Sequence, residues 1–505
     1  MIKFFQTKNA HLNSIVFNSF KNSFNNLVTA SDCDFDSDII ILVNPSDDLS
    51  SKVLDQRNKK IIIFGNLTEC LLNFFKFKKS VNTISEKDCC ADAANSGKFS
   101  QSPCLIKYSN SFLDSFTNER FFERFDFNDE WNNLNYGSIK NDGSIYSLSN
   151  LYDSENKELA IIYRNNVPIS VYSAIRDTEN LSILWINRAV GSFDSYEWRI
   201  VEDFISSYRF DSLPCIPVID EIPFGYSSAS TMRLDCDENI QSSECLFNLY
   251  RKHKIPLSLA IHTSQLKNND SLFLDKIISN HGSILSHSHT HKHFWGNSYE
   301  EMVTEASISK KILTDMIEER VDYAVSPFHE SNHLSIKALK KTGYQGCIGG
   351  IINKTNDLLS FRAGTTPYSN EFIFASHQVM LHGDCLLKNG DPLEIYKRSF
   401  DNSKQTNSIF SYLDHPFSDR YQYGWIDENF RLSFHSQLID YIKKVSTKHL
   451  FISYAEFFNI IKFKNSLKIS KNANKYFFKN KLNDKFTLQV KFKNKIYNTD
   501  DELQI

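Results

Sequence analysis

Apolar residues along this chain gather in short runs, and the spacing of those runs changes along its length. The stretches 37–48 (SDIIILVNPSDD) and 59–75 (KKIIIFGNLTECLLNFF) are unbroken apolar runs ending in a turn, and the second continues with helical spacing. Such runs followed by helices predict a parallel sheet buried on both faces. An N-terminal α/β, Rossmann-like unit is therefore expected over residues 1–125. Neither run is followed by G-x-G-x-x-G, so no dinucleotide site is expected. Residues 82–104 are polar and patternless and read as a loop.

Between 126 and 212 the period shortens to two. Asp142-Gly143 and Asn165-Asn166 each stand between alternating segments, which is a hairpin signal. LSILWINRAV reads as a further strand. SYEWRIVEDFISSYRF (195–210) sets Trp198, Val201, Phe204 and Ile205 on one stripe, the pattern of an amphipathic helix. From 213 to 464, β-like runs (STMRLDCDE, IPLSLAIHT, SILSHSHTH, YAVSPF, FIFASHQVMLHG, SIFSYLDHP, LFISYAEF) alternate with helical patterns. Repeated β–α units over ~250 residues have the rhythm of a (β/α) barrel or a distorted relative of one. From 465 to 505, FTLQVKFKNKIYN alternates with period two and predicts a small β appendage.

Composition excludes more than it identifies. The chain has 505 residues, 41% hydrophobic and 23% charged, enough for several globular domains. Lys+Arg number 57 against 60 Asp+Glu, so the basic excess of a nucleic-acid binder is missing. No apolar run approaches the ~20 residues of a membrane span. The N-terminus lacks the apolar core of a secretory signal, which predicts a cytoplasmic location. Ten Cys are scattered without a CxxC pair, which fits reduced thiols and argues against a Cys-built zinc cluster.

The chemistry concentrates in three places. SHSHTHKHF carries His287, His289, His291 and His293, with the pairs 287/291 and 289/293 four residues apart. Two imidazoles at that spacing converge on one metal if the backbone turns; in a strand all four would line one face with no ion. TMRLDCDE ends in Asp235 and Asp237, whose alternation puts both carboxylates on one side of a strand. They read either as a metal ligand and a base or as acids capping the following turn. SYLDHP carries His415 at the end of a β-like run, as a general acid or as a structural histidine.

In this order the three signals resemble the polysaccharide deacetylases, the carbohydrate esterase family four or NodB-homology domain, over about half the chain. STMRLDCDEN resembles the family's Asp-Asp motif with one residue inserted. His287-Ser288-x-x-His291 matches its His-[Ser/Thr]-x-x-His. AVSPFHESNHLSIKALKKTG is similar to its Arg-x-Pro-x-Gly motif and the helix after it. SYLDHP resembles its closing Leu-x-His.

The resemblance implies a distorted barrel of the deacetylase type and a divalent metal, most suitably Zn²⁺, held by Asp237, His287 and His291. Asp235 would be the base and His415 the acid, with the two Asp roles open to exchange. His289, His293 and His329 fall to the substrate cleft or to support of the ligands. The third motif's Arg is missing: Val325 stands in its place and His329 replaces the Gly. Arg233, on the same face as Asp235, is the candidate to replace the lost charge. The RLDCDE form resembles a divergent branch found in surface-polysaccharide (O-antigen-type) clusters. The implied activity is removal of an N-acetyl or similar N-acyl group from an amino sugar or polysaccharide precursor. The alternatives are a non-catalytic carbohydrate-binding barrel and a hydrolase of another sugar amide such as N-formyl.

Overall fold

The computed structural model describes residues 1–5, 10–31, 34–85, 88, 104–109, 119–121, 139, 141, 147–192, 194–349, 363–366, 369–376, 379–472, 475–479 and 486–504. The Asp142-Gly143 hairpin and most of the expected loop at 82–104 lie outside these residues.

The apolar runs of the first part become Ile39–Val43 and Lys59–Phe64, adjacent parallel strands. They belong to a nine-stranded sheet. Val28–Ser31, Ile2–Phe5, Ile39–Val43, Lys59–Phe64 and Leu181–Ile186 run parallel. Val167–Asp177, Ala160–Arg164, Cys104–Tyr108 and Glu119–Phe121 continue it antiparallel. The sheet thus draws strands from both sides of residue 125. Asn165 and Asn166 make the hairpin turn with φ of 49° and 66°, the left-handed pair that a two-residue turn demands.

The helix Ser195–Ser206 differs from an amphipathic surface helix, because all twelve of its residues are buried. Its polar side is covered by partners from elsewhere. Glu197 meets Arg120, Arg199 meets Asp220, and Glu202 accepts from Ser23.

Beyond Val218–Pro223 the β–α units build a second sheet of ten strands. Its central strand is Ser228–Cys236, flanked by Ser258–Ile261 and His449–Ile452 on one edge and by Phe410–Asp414 on the other. Ile284–Ser286, Tyr323–Val325, Gly346–Ile348 and Ser369–Ala375 follow in parallel order, and Ala363–Thr366 closes that edge antiparallel. Val379–Met380 forms the other edge, against Phe410–Asp414. The expected distorted barrel is a curled half-barrel sheet that does not close among the described residues.

Alternate residues of these strands feed two cores. Met232, Leu234, Leu259, Ile261 and Ala324 pack against the surrounding helices, among them Tyr299–Ile317 and Glu428–Val445. Ala229, Ala260, Leu285 and Val325 face the helix Tyr454–Ser466 in a cluster that continues into the N-terminal sheet. Arg233 and Asp235 share this second, inward face. The C-terminal stretch folds back on the chain, as Leu488–Phe492 pairs with Val218–Pro223 and with Lys495–Asn498. No helix among the described residues is long and apolar enough to cross a membrane. Every described cysteine is a free thiol.

Candidate metal centre

In a parallel sheet, side chains that follow the strands' carboxyl ends converge on one rim. Asp237 follows Ser228–Cys236, His287 follows Ile284–Ser286, His329 lies four residues beyond Val325, and His415 follows Phe410–Asp414. These residues line a cavity of about 600 Å³ together with Asp235, His291, His293, Phe328 and Tyr423. His289 is not among the lining residues; its Nδ1 lies 3.1 Å from the Thr263 hydroxyl.

The histidine segment forms neither a strand nor a helical turn. Ser288 and His291 take φ of 67° and 55°, so the chain reverses, and the His291 amide donates to Ser288 Oγ at 2.9 Å. The loop hangs on Glu305, a buried carboxylate of the helix Tyr299–Ile317. Glu305 accepts from the amides of His289 (3.1 Å) and Thr290 (2.7 Å) and from the Thr290 hydroxyl (2.6 Å). These bonds bring His287 Nε2 and His291 Nε2 to 3.1 Å from each other. Asp237 Oδ1 lies 3.4 Å from the first and 3.2 Å from the second.

The chemistry of this triangle fits a cation. His287 Nδ1 sits 2.9 Å from the Val325 carbonyl, which only accepts, so Nδ1 carries the hydrogen and Nε2 is the ring atom turned toward Asp237 and His291. Asp237 Oδ1 is buried and receives no aligned hydrogen bond. A carboxylate oxygen and two imidazole nitrogens thus face one another. A tetrahedral zinc with bonds of ~2.0–2.1 Å spaces its ligand atoms by ~3.3–3.4 Å, close to the separations here. Asp237, His287 and His291 suit that ion.

Arg233 and Asp235 form a buried pair beside the triangle. Arg233 donates from Nε to Asp235 Oδ1 at 2.6 Å and from Nη2 to Oδ2 at 3.0 Å, while Nη1 reaches the Tyr454 hydroxyl at 2.9 Å. Burial pushes the Asp235 carboxyl up, but Arg233, then His287 and His329, bring it down to about 2. It is ionised at neutral pH. The arginine that holds Asp235 thus comes from its own strand, three places along the sheet from the strand that ends at Val325. His329 occupies its Gly-type position with φ of 56°, and burial pushes its imidazole down to about 3 against the pull of Asp235.

His415 Nε2 lies 3.7 Å from Asp237 Oδ2, and its ring stacks on Tyr423 at 4.3 Å. Phe328 also lines the cavity, and its ring lies parallel to that of His293 at 3.8 Å. His293 Nδ1 meets Glu330 at 2.7 Å.

Sequence reading missed three groups. Glu305 sits inside an ordinary helical pattern and gives no signal. Asp414 is the residue before His415; it accepts from Arg431 Nε at 2.7 Å, His435 Nε2 at 2.9 Å and the His415 amide at 2.7 Å. His382 follows the strand Val379–Met380, and its position as a histidine just beyond a strand end was the available signal.

Comparison with known proteins adds the following. No curated protein matches the chain. A putative polysaccharide deacetylase from Mycobacterium smegmatis is 10% identical over 48% of this chain and 92% of its own, with a TM-score of 0.37. A family 4 acetyl xylan esterase from Clostridium thermocellum, solved with a cobalt ion, is 8% identical over 46% of this chain and 91% of its own, with a TM-score of 0.31. A family 4 pseudoenzyme from Bacillus anthracis is 11% identical over 49% of this chain and 70% of its own, with a TM-score of 0.32. The segment 236–347, which holds Asp237, His287, His291 and His329, matches the polysaccharide deacetylase family model.

Proposed function

We propose that the chain is a metal-dependent hydrolase that removes an N-acetyl or similar N-acyl group from an amino sugar during surface-polysaccharide synthesis. The observation that carries this reading is one cavity in which a cation-seeking triangle lies between an ionised carboxylate and an imidazole. Asp237, His287 and His291 would hold the ion, with zinc the best match to two imidazoles and a carboxylate. When bound, the ion supplies polarisation of the acyl carbonyl and a lowered pKa for water.

The remaining work falls to the chain's own groups. Asp235, ionised and fixed through both oxygens by Arg233, accepts the proton of the attacking water. His415 delivers a proton from Nε2 to the departing amine. Phe328 and Tyr423 add aromatic surface to the cavity lining, suited to the apolar face of a sugar ring.

The test is release of acid from the zinc-loaded protein on a panel of N-acetylated and N-formylated amino sugars, free and carrier-linked. Acetate release from an N-acetyl sugar, abolished by Asp235→Asn, is expected. No acid from any member of the panel with stoichiometric metal bound would make the cavity a binding site.

A further inference from the structure

His382 is buried completely, lies outside the metal triangle, and has no role in the reaction as written so far. Its Nε2 is 2.8 Å from His415 Nδ1. We propose that His382 is a positioning residue that accepts the Nδ1 hydrogen of His415 and so fixes the proton-donating form of that ring. This rests on the reading of His415 as the acid.

The logic is one of proton counting. To donate from Nε2, His415 must carry hydrogens on both ring nitrogens, because a neutral ring losing its only hydrogen would become an imidazolate. Its Nδ1–H then needs an acceptor. Asp414 is the nearest acid in sequence but is committed elsewhere, to Arg431, His435 and the His415 amide. What stands at hydrogen-bond distance from Nδ1 is His382 Nε2. Around His382 lie Asp414 Oδ1 at 3.7 Å and the Tyr423 ring at 4.9 Å. Burial, followed by the neighbouring His415, pushes His382 down to about 3, so the ring is neutral, and with its hydrogen on Nδ1 it presents Nε2 to His415 as an acceptor.

The test uses the full chain with zinc and an N-acetyl sugar that it turns over. His382→Leu should lower kcat by roughly 10–100-fold, the usual worth of an outer hydrogen-bonding partner. KM and metal content should stay within twofold. His382→Gln, whose Oε1 accepts a hydrogen bond, should recover most of the loss. A leucine variant with the parent's kcat, or a glutamine variant as slow as the leucine one, overturns the proposal.

A second readout needs no turnover. With ¹⁵N-labelled histidine, the parent should show a low-field, hydrogen-bonded Nδ1–H on His415 that His382→Leu removes and His382→Gln retains. Absence of that proton in the parent overturns the proposal even if no substrate is found. Its presence in a protein that releases no acid counts against the hydrolase reading alone.

Discussion

The two large sheets of this molecule bury charge in opposite ways. In the N-terminal region the buried ions match one another: Arg120 and Arg188 face Glu197 and Asp194, with Tyr172 donating to Glu197 at 2.8 Å. Lys60, wholly buried, points at Cys215 Sγ (3.1 Å) and the Ile205 carbonyl (3.3 Å), and burial pushes its pKa down. Each buried charge there is packed against a polar partner. In the C-terminal sheet, Arg233–Asp235 is matched in the same way, but next to it one oxygen of Asp237 and the Nε2 atoms of His287 and His291 lie 3.1–3.4 Å apart. The difference teaches that a buried ion by itself does not mark a site. A carboxylate and two imidazoles converging on one point, at the carboxyl ends of parallel strands, does.

Substitutions on the two sides should separate cleanly. The largest effect is expected at Asp235→Asn. It should abolish measurable acid release while metal stays bound, since the amide keeps the shape but does not take the water's proton. His415→Ala should come next, slowing turnover by roughly 10²–10⁴-fold with the metal in place. If Asp235→Asn loses the metal and Asp237→Asn keeps it, the two Asp exchange roles.

The next pair compares the regions directly. Arg233→Met and Arg188→Met each strand a buried carboxylate, at a cost of about 3–5 kcal/mol in denaturant unfolding. Only the first should also slow turnover per folded molecule. Equal loss of activity in both would break the distinction drawn here.

The smallest effect concerns pH. Asp235 sits at about 2 when paired, against ~3.9 for a free aspartate. A carboxyl lowered on folding stabilises above its unfolded pKa and loses that contribution as pH falls through the folded one. The stability gap between the parent and Arg233→Met should therefore be widest near neutrality. It should narrow below about pH 4, as measured by unfolding with a chelator present.

Legibility from the sequence followed the range of the interactions involved. The histidine pair and the Asp-x-Asp were readable because their ligand spacing is local. The same holds for Arg233, which reaches Asp235 along one strand face. Residues 449–466 were harder. LFISYAEF opens as the strand His449–Ile452 and then caps a helix, with Ser453 and Glu456 bonding reciprocally. That capping box was present in the letters but masked by the apolar run before it. His382 was lost because FIFASHQVMLHG reads as one strand, whereas the structure divides it into Ser369–Ala375 and Val379–Met380. Glu305 and the fully buried helix Ser195–Ser206 depend on partners far away in sequence, which no local pattern carries.

The central claim is that Asp237, His287 and His291 together hold one divalent ion. Metal content of the purified chain tests it most directly, measured by elemental analysis on the parent and on His287→Ala, with His289→Ala as the control outside the cavity. The account predicts one ion per chain in the parent and the control, and loss of most of it in His287→Ala, because two ligands do not close the site. A full complement of metal in His287→Ala, or its loss in His289→Ala instead, would contradict it.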